Sequence, residues 1–302
     1  METKLKFGID LGGTKIEGVV LDEAGQVLHR QRIPTEREGG YEHILSRIVN
    51  LVQLLEKQLG YKAAQIGIGT PGTIDPSTAL LKNANTVVLN GQALQKDLRN
   101  QLDRPVIVAN DANCFAVAEA RLGVVAQEKP TAQTVFGVIL GTGTGGGLVL
   151  NGQVWGGAHG IGGEWGHMFL DHSAGHCYCG RVGCVEAIIS GPALERYYCT
   201  LTGKNLSMRE IVPRFRSGED AAAITTMKRF FHFFAKGIAN VLNVLDPDVV
   251  VIGGGLGQIE ELYTEGVSQV KEHLFNPRLD TPFLRPALGD SAGVFGAALL
   301  VD

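Results

Sequence analysis

Two stretches of the chain share one plan: residues 5–21, LKFGIDLGGTKIEGVVL, and residues 134–150, TVFGVILGTGTGGGLVL. Each reads as a β-rich run, a turn of glycine and threonine, and a second β-rich run, which is a hairpin signature. Successive backbone N–H groups at such a turn form a concavity that accepts anions, phosphate oxygens among them. The first turn, Asp10–Lys15, is not a Walker A loop, because that motif opens a helix and here a strand follows. In the second, Gly141, Gly143 and Gly146 satisfy G-x-G-x-x-G. A dinucleotide fingerprint needs its third glycine to open a helix, whereas LVLNGQVWGG continues as strand, Asn-Gly turn and strand. Two copies of one phosphate-gripping hairpin therefore predict an α/β architecture built by duplication, with a nucleotide between the halves. Gly253–Gly255 adds a third glycine loop at the carboxyl end of the run Val249–Ile252, where α/β folds place ligand contacts.

Outward from the hairpins, apolar residues at 41, 44, 45, 48, 51, 52, 55 and 59 mark an amphipathic helix that Gly60 stops. Residues 65–69 read as a strand ending in Thr70-Pro71-Gly72-Thr73, and residues 82–85 as a polar loop before a helix over 93–101. A short strand, 106–109, runs into Asn110-Asp111-Ala112-Asn113 and a helix reaching Leu122. Asp111 thus stands where a strand passes to a helix, a usual place for catalytic groups, though Asn110 or Asp111 can equally cap that helix. Residues 208–245 are mostly helical, with phenylalanines that suit a core better than a stacking platform, and 291–300 form a closing helix. The hinge between the halves is expected near 122–134, giving an N-terminal domain of 1–122 with 290–302 and a C-terminal domain of 123–289.

Composition excludes several classes. The 302 residues are 44% hydrophobic and 19% charged with net charge −4, an ordinary globular balance without the basic footprint of a nucleic-acid binder. Apolar runs are too short to span a membrane, and the N-terminus goes into a strand without a signal-peptide core. Five cysteines, three of them clustered, suit a reducing compartment and a metal rather than a disulfide framework, so the cytoplasm is expected. Cys114 and Cys199 read as inert small hydrophobes.

The cysteine cluster lies in residues 163–186, GEWGHMFLDHSAGHCYCGRVGCVE. Cys177, Cys179 and Cys184 form C-x-C-G-x-x-G-C, and His167 lies ten residues upstream. Three thiolates and an imidazole make a closed structural zinc set. The bland alternative is three buried or paired cysteines beside an unrelated histidine, and spacing leaves His172 and His176 open as the fourth ligand. Glu164 and Glu186 bracket the site and stay free for substrate. With no nucleophilic triad, these features point to phosphoryl transfer, which needs positioning, charge neutralisation and a proton acceptor. Asp111 is the candidate base; Asn85, Asn110, Glu164 and Glu186 are candidates to hold a polyol. Asp10 suits magnesium, and His167 could offer its second ring nitrogen to a sugar hydroxyl.

These residues resemble the ROK family (repressor, open reading frame, kinase) of the actin-like ATPase superfamily, and the resemblance covers essentially the whole chain. It rests on DLGGTK (10–15), GTPG (69–72), NDAN (110–113), GTGTGGG (141–147), ExGH (164–167), CxCGxxGCxE (177–186) and DPDVVVIGGG (246–255). The resemblance implies two actin-like (ribonuclease H-like) domains with an interdomain active-site cleft and a structural zinc site. It implies phosphate transfer from ATP to a hexose 6-hydroxyl with Asp111 as base. It implies that Gly72, Asn85, Asn110, Asp111, Glu164, His167 and Glu186 touch the sugar, and that His167, Cys177, Cys179 and Cys184 bind zinc. ATP and magnesium fall to Asp10, Gly12, Gly13, Thr14, Lys15, Gly141, Thr142, Gly143, Thr144, Gly254 and Gly255. A homodimer is plausible by the same resemblance.

The loops KNANTVVLNGQ and GTPGTIDP and the segment around GEWGH look most like the fructokinase and mannokinase branch, so fructose is the expected sugar. N-acetylglucosamine kinases and glucokinases, which share the ring contacts, are the alternatives. The family's sugar-responsive repressors are the rival of another class. They carry an added helix-turn-helix domain, for which a first strand near Leu5 is expected to leave no room.

Overall fold

A computed structural model describes residues 4–301, and they separate into two compact units. Among the described residues the first comprises 4–134, 147–163 and 286–301, and the second 135–146 and 164–285.

The first unit is built on a sheet of order β3-β2-β1-β4-β7. Its strands are β1 (Lys6–Leu11), β2 (Lys15–Leu21), β3 (Val27–Pro34), β4 (Ile66–Thr70) and β7 (Val106–Asn110). The two-stranded ribbon of β5 (Thr73–Ile74) and β6 (Leu81–Lys82) stands apart from it. Strands β1 and β2 pair antiparallel, as their hairpin signature requires, while β1, β4 and β7 run parallel. Parallel neighbours need crossovers, supplied by α1 (Gly40–Leu59) and α2 (Leu94–Leu102). The apolar stripe of α1 buries Ile44, Leu45, Ile48, Leu51, Val52 and Leu55 against Phe7, Ile9, Ile66 and Ile68. Strand β3 escapes the sequence reading because VLHRQRIP is polar and half exposed; it is an edge strand whose Arg30 and Arg32 pair with the buried Glu17 of β2.

Helices α3 (Asp111–Arg121) and α4 (Val124–Glu128) follow β7, and α10 (Ala292–Ala298) closes the unit. The composition of α10 is dictated by proximity. A Cβ on Gly67 would collide with the carbonyl of Ala297, and one on Gly296 with the carbonyl of Cys114, so backbones lie directly against one another. Buried Glu119 of α3 accepts backbone N–H groups from Val124, Ala287 and Leu288, fixing the returning chain.

The other sheet has the order β10-β9-β8-β11-β12, from β8 (Thr134–Leu140), β9 (Thr144–Leu150), β10 (Gln153–Val154), β11 (Val249–Gly253) and β12 (Phe283–Leu284). The Asn151-Gly152 turn between β9 and β10 has both residues at positive φ, 51° and 75°, which is the type I′ geometry of a two-residue hairpin. In the second unit follow α5 (Glu186–Ile189), α6 (Gly191–Thr202), α7 (Met208–Ser217), α8 (Ala221–Leu245) and α9 (Val267–Val270). The stretch 208–245, expected to be mostly helical, is two helices. Gly218 ends α7, and the Asp220 side chain caps α8 by accepting from Ala222 and Ala223. Phe230, Phe231 and Phe234 of α8 are fully buried core. Among the described residues no helix is long and apolar enough to cross a membrane.

Candidate active site

In the first unit, β1 ends by placing Asp10 before the turn Gly12-Gly13-Thr14. Thr35 holds that turn: its hydroxyl donates to the Gly12 carbonyl (2.7 Å) and its N–H to Thr14 (3.0 Å). Lys15 beyond it is exposed. Burial raises the Asp10 carboxyl to about 6, the negative charges of Asp111 and Glu17 add to this, and Lys15 and Arg32 oppose it. A buried carboxylate beside like charges is what a bound divalent cation relieves, so these residues fit magnesium. Asn110 is the N-cap of α3: its Oδ1 accepts the Ala112 N–H at 2.9 Å, and Asp111 Oδ1 accepts the same group at 2.8 Å. The capping reading of this loop therefore holds, with Asp111 exposed at the first turn of α3. Gly72 has no room for a side chain, since a Cβ would lie 2.6 Å from the Lys82 carbonyl. Asn85 is exposed at the end of a loop pinned by Asn90, which grips both backbone groups of Ala84.

In the second unit, ligand atoms of His167, Cys177, Cys179 and Cys184 all lie within 4.8 Å of one another. His167 Nδ1 is 3.7 Å from Cys177 Sγ, and Cys179 Sγ is 3.6 Å from Cys184 Sγ. A tetrahedral ion with Zn–S bonds of about 2.3 Å sets its ligands roughly 3.7 Å apart, so the donor set fits zinc. All five cysteines are free. His172 and His176 are outside the group: His172 packs on Phe169 and His176 bridges Val182 through backbone. The second nitrogen of His167 meets the Tyr178 hydroxyl at 3.1 Å, a neighbour that the spacing argument overlooked. Burial, reinforced by Glu186, pushes the Glu164 carboxyl up, while His167 opposes.

The same segment grips the glycine hairpin 141–147. Glu186 Oε2 accepts the Thr144 N–H at 2.9 Å, Trp165 Nε1 donates to the Gly145 carbonyl at 2.8 Å, and the Gly191 N–H donates to Gly141 at 2.8 Å. Thr144 Oγ1 is buried without a partner among the described residues, as a donor awaiting a ligand oxygen would be. Gly254 has φ 82°, and a Cβ there would strike the Leu140 carbonyl. A cavity of ≈ 670 Å³ opens beside Gly141, Thr142 and Gly255 and is walled by Pro192, Met208 and Val212. Its size, apolar wall and glycine rim suit a nucleotide base. These wall residues were missed because proline, methionine and valine carry no motif.

The family model for the ROK family matches residues 6–302. The chain belongs to the ROK family. Its ROK relatives include the N-acetyl-D-glucosamine kinases of Haemophilus influenzae, 37% identical over 97% of this chain and 98% of that one, and of Photobacterium profundum, 37% identical with the same coverage. Among solved ROK structures, a hexokinase from Thermus thermophilus superposes with TM-score 0.87 at 32% identity, covering 98% of this chain and 97% of that one. A glucokinase from Streptomyces griseus, solved with glucose and AMPPNP, gives 0.77 at 28% identity and 98% coverage of both chains. The expectation of a ROK sugar kinase with an actin-like α/β fold stands. The preference for fructose does not gain support, because these relatives favour the N-acetylglucosamine alternative.

Two variants check the site. The raised Asp10 carboxyl favours folding only while protonated, so its contribution is full below the ordinary value of 3.8 and lost as pH rises through about 6. Asp10→Asn should therefore stabilise the ligand-free protein at pH 7.5, by on the order of 1–3 kcal/mol, and change little at pH 4. Thermal melting at the two pH values measures this; equal melting at pH 7.5 contradicts it. Cys179→Ser should lower zinc content by elemental analysis from one per chain towards zero and reduce the melting temperature, since structural zinc contributes folding free energy.

Proposed function

We propose that the protein is an ATP-dependent kinase that phosphorylates N-acetyl-D-glucosamine on its 6-hydroxyl. The kinase reading is carried by Asp111 at the β7–α3 junction, beside an Asp10 carboxyl that senses its charge. The choice of sugar is supported by full-length relatives at 37% identity.

In this reading Asp111 accepts the proton of the 6-hydroxyl as that oxygen attacks the γ-phosphorus. The bond from γ-phosphorus to the bridging oxygen breaks, and ADP leaves with the electron pair. Asn85, Asn110, Glu164, His167 and Glu186 orient the ring through its hydroxyls, and Gly72 allows close approach of backbone to the sugar. The backbone of 12–15 and 141–144 receives phosphate oxygens, Gly254 and Gly255 border the nucleotide, and the α6–α7 cavity takes the base. Magnesium, when bound near Asp10, supplies charge neutralisation; zinc, when bound, fixes the His167 ring. Three thiols reserved for a metal suit a reducing, cytoplasmic setting.

A coupled ADP-release assay over N-acetylglucosamine, N-acetylmannosamine, glucose, mannose and fructose tests the reading. N-acetylglucosamine should give the highest kcat/KM, and Asp111→Ala should lower kcat by at least about 100-fold while nucleotide binding persists. Full turnover of fructose with none of N-acetylglucosamine would return the assignment to a fructokinase. Substantial turnover by Asp111→Ala would remove that residue as the base.

A further inference from the structure

We infer that Glu186 is a positioning residue that couples sugar occupancy to the phosphate-binding hairpin, so that the two substrates bind with mutual reinforcement. The inference rests on the sugar-kinase reading above and assigns Glu186 a second task within it.

The geometry divides the two oxygens of this carboxylate between different partners. Oε2 is committed to the N–H of Thr144, at 2.9 Å, inside the glycine hairpin. The fit is close: a Cβ on Gly143 would lie 2.7 Å from Oε2, so a side chain there would move the carboxylate from its place on the loop. Oε1 accepts no hydrogen bond from the described residues. The other carboxylate assigned to the sugar, Glu164, adjoins Trp165, whose indole donates to the Gly145 carbonyl of the same hairpin. One oxygen of Glu186 therefore holds the hairpin, on which the segment carrying both sugar-assigned carboxylates also rests.

The base of Glu186 is rigid. Cys184, two residues before it, belongs to the thiol cluster, the Val185 N–H donates to the Met168 carbonyl, and the Ala187 N–H donates to the Cys184 carbonyl. Only the side chain remains free to adjust. A sugar hydroxyl donating to Oε1 would restrict the carboxylate to one orientation, which also fixes the direction in which Oε2 meets Thr144. Phosphate oxygens settling on the 141–144 backbone would fix the same carboxylate from the other side. Linkage then requires each ligand to tighten the other by the same factor. Thr144 is suited to report this, because its N–H is held by Glu186 while its buried hydroxyl is unpartnered.

Hydrogen–deuterium exchange on the zinc-loaded protein, with N-acetylglucosamine and no nucleotide, tests the inference. Peptides covering 141–147 should exchange at least about threefold more slowly once the sugar is bound, with binding established independently by calorimetry. AMPPNP should bind roughly fivefold or more tightly in the presence of sugar. In Glu186→Gln saturated with sugar, both effects should shrink towards unity. If that variant does not bind sugar, Gly143→Ala takes its place, since it leaves the carboxylate intact but displaces it from the loop; sugar should bind without protecting 141–147. Sugar bound to the wild type with no change in 141–147 overturns the coupling, as does equal protection in either sugar-bound variant. Failure of the wild type to bind any sugar of the panel overturns the kinase reading, and the coupling with it.

Discussion

Three hydrogen bonds hold the glycine hairpin of residues 141–147: Glu186 to the Thr144 N–H, Trp165 to the Gly145 carbonyl, and the Gly191 N–H to Gly141. Four of the five residues from 143 to 147 are glycine, so the end of the turn and the start of β9 have little intrinsic stiffness. Beyond the pairing of β9 with β8, rigidity comes from what packs on them. All three of these braces are drawn from the segment 164–191, which also carries the thiol–imidazole cluster and the two carboxylates assigned to the sugar. A Cβ on Gly166 would collide with the Thr144 carbonyl, so the ExGH turn and the hairpin touch backbone to backbone. The residues proposed for zinc ligation, for sugar recognition and for bracing the glycine hairpin thereby fall on one short stretch of chain.

The first unit shows a different constraint. Its sheet brings Asp10 into a buried position near Asp111 and Glu17, and the Asp10 carboxyl rises to about 6 as a result. Glu17 is neutralised by Arg30 and Arg32, two residues of the edge strand β3. Among the described residues Asp10 has no such ion pair, and burial together with its like-charge neighbours disfavours ionisation. An ionised Asp10 therefore lowers the stability of the ligand-free protein as pH rises through about 6.

Much of this was legible in the residues because the decisive elements carry strong local codes. The hairpin at 5–21 shows alternating apolar runs about a glycine turn, and it pairs antiparallel as that pattern demands. The strand, Asn-Gly turn and strand after Gly146 argue against a dinucleotide fingerprint, and the positive φ angles at 151–152 serve the hairpin that this pattern predicts. What escaped has equally physical causes. Strand β3 is polar because it lies at an edge and answers the charge of Glu17, so hydropathy could not reveal it. Spacing could not say which of His167, His172 and His176 joins the cysteines; the chain path brings His167 Nδ1 to 3.7 Å from Cys177 and leaves the other two outside the group. The wall of the cavity beside Gly141 and Gly255 was unreadable because Pro192, Met208 and Val212 are ordinary apolar residues gathered from two helices. The sugar itself is chosen by groups around one or two ring positions, each worth only about 1–3 kcal/mol, and short motifs do not encode them.

The central claim is that the thiol–imidazole segment keeps the phosphate hairpin in shape. Stepwise removal of zinc by a chelator, following bound zinc and AMPPNP affinity in the same samples while circular dichroism monitors folding, tests it most directly. Nucleotide affinity should fall in parallel with zinc content while the secondary structure of the rest of the chain persists. A folded, zinc-depleted protein that binds AMPPNP as tightly as the loaded one would contradict the account.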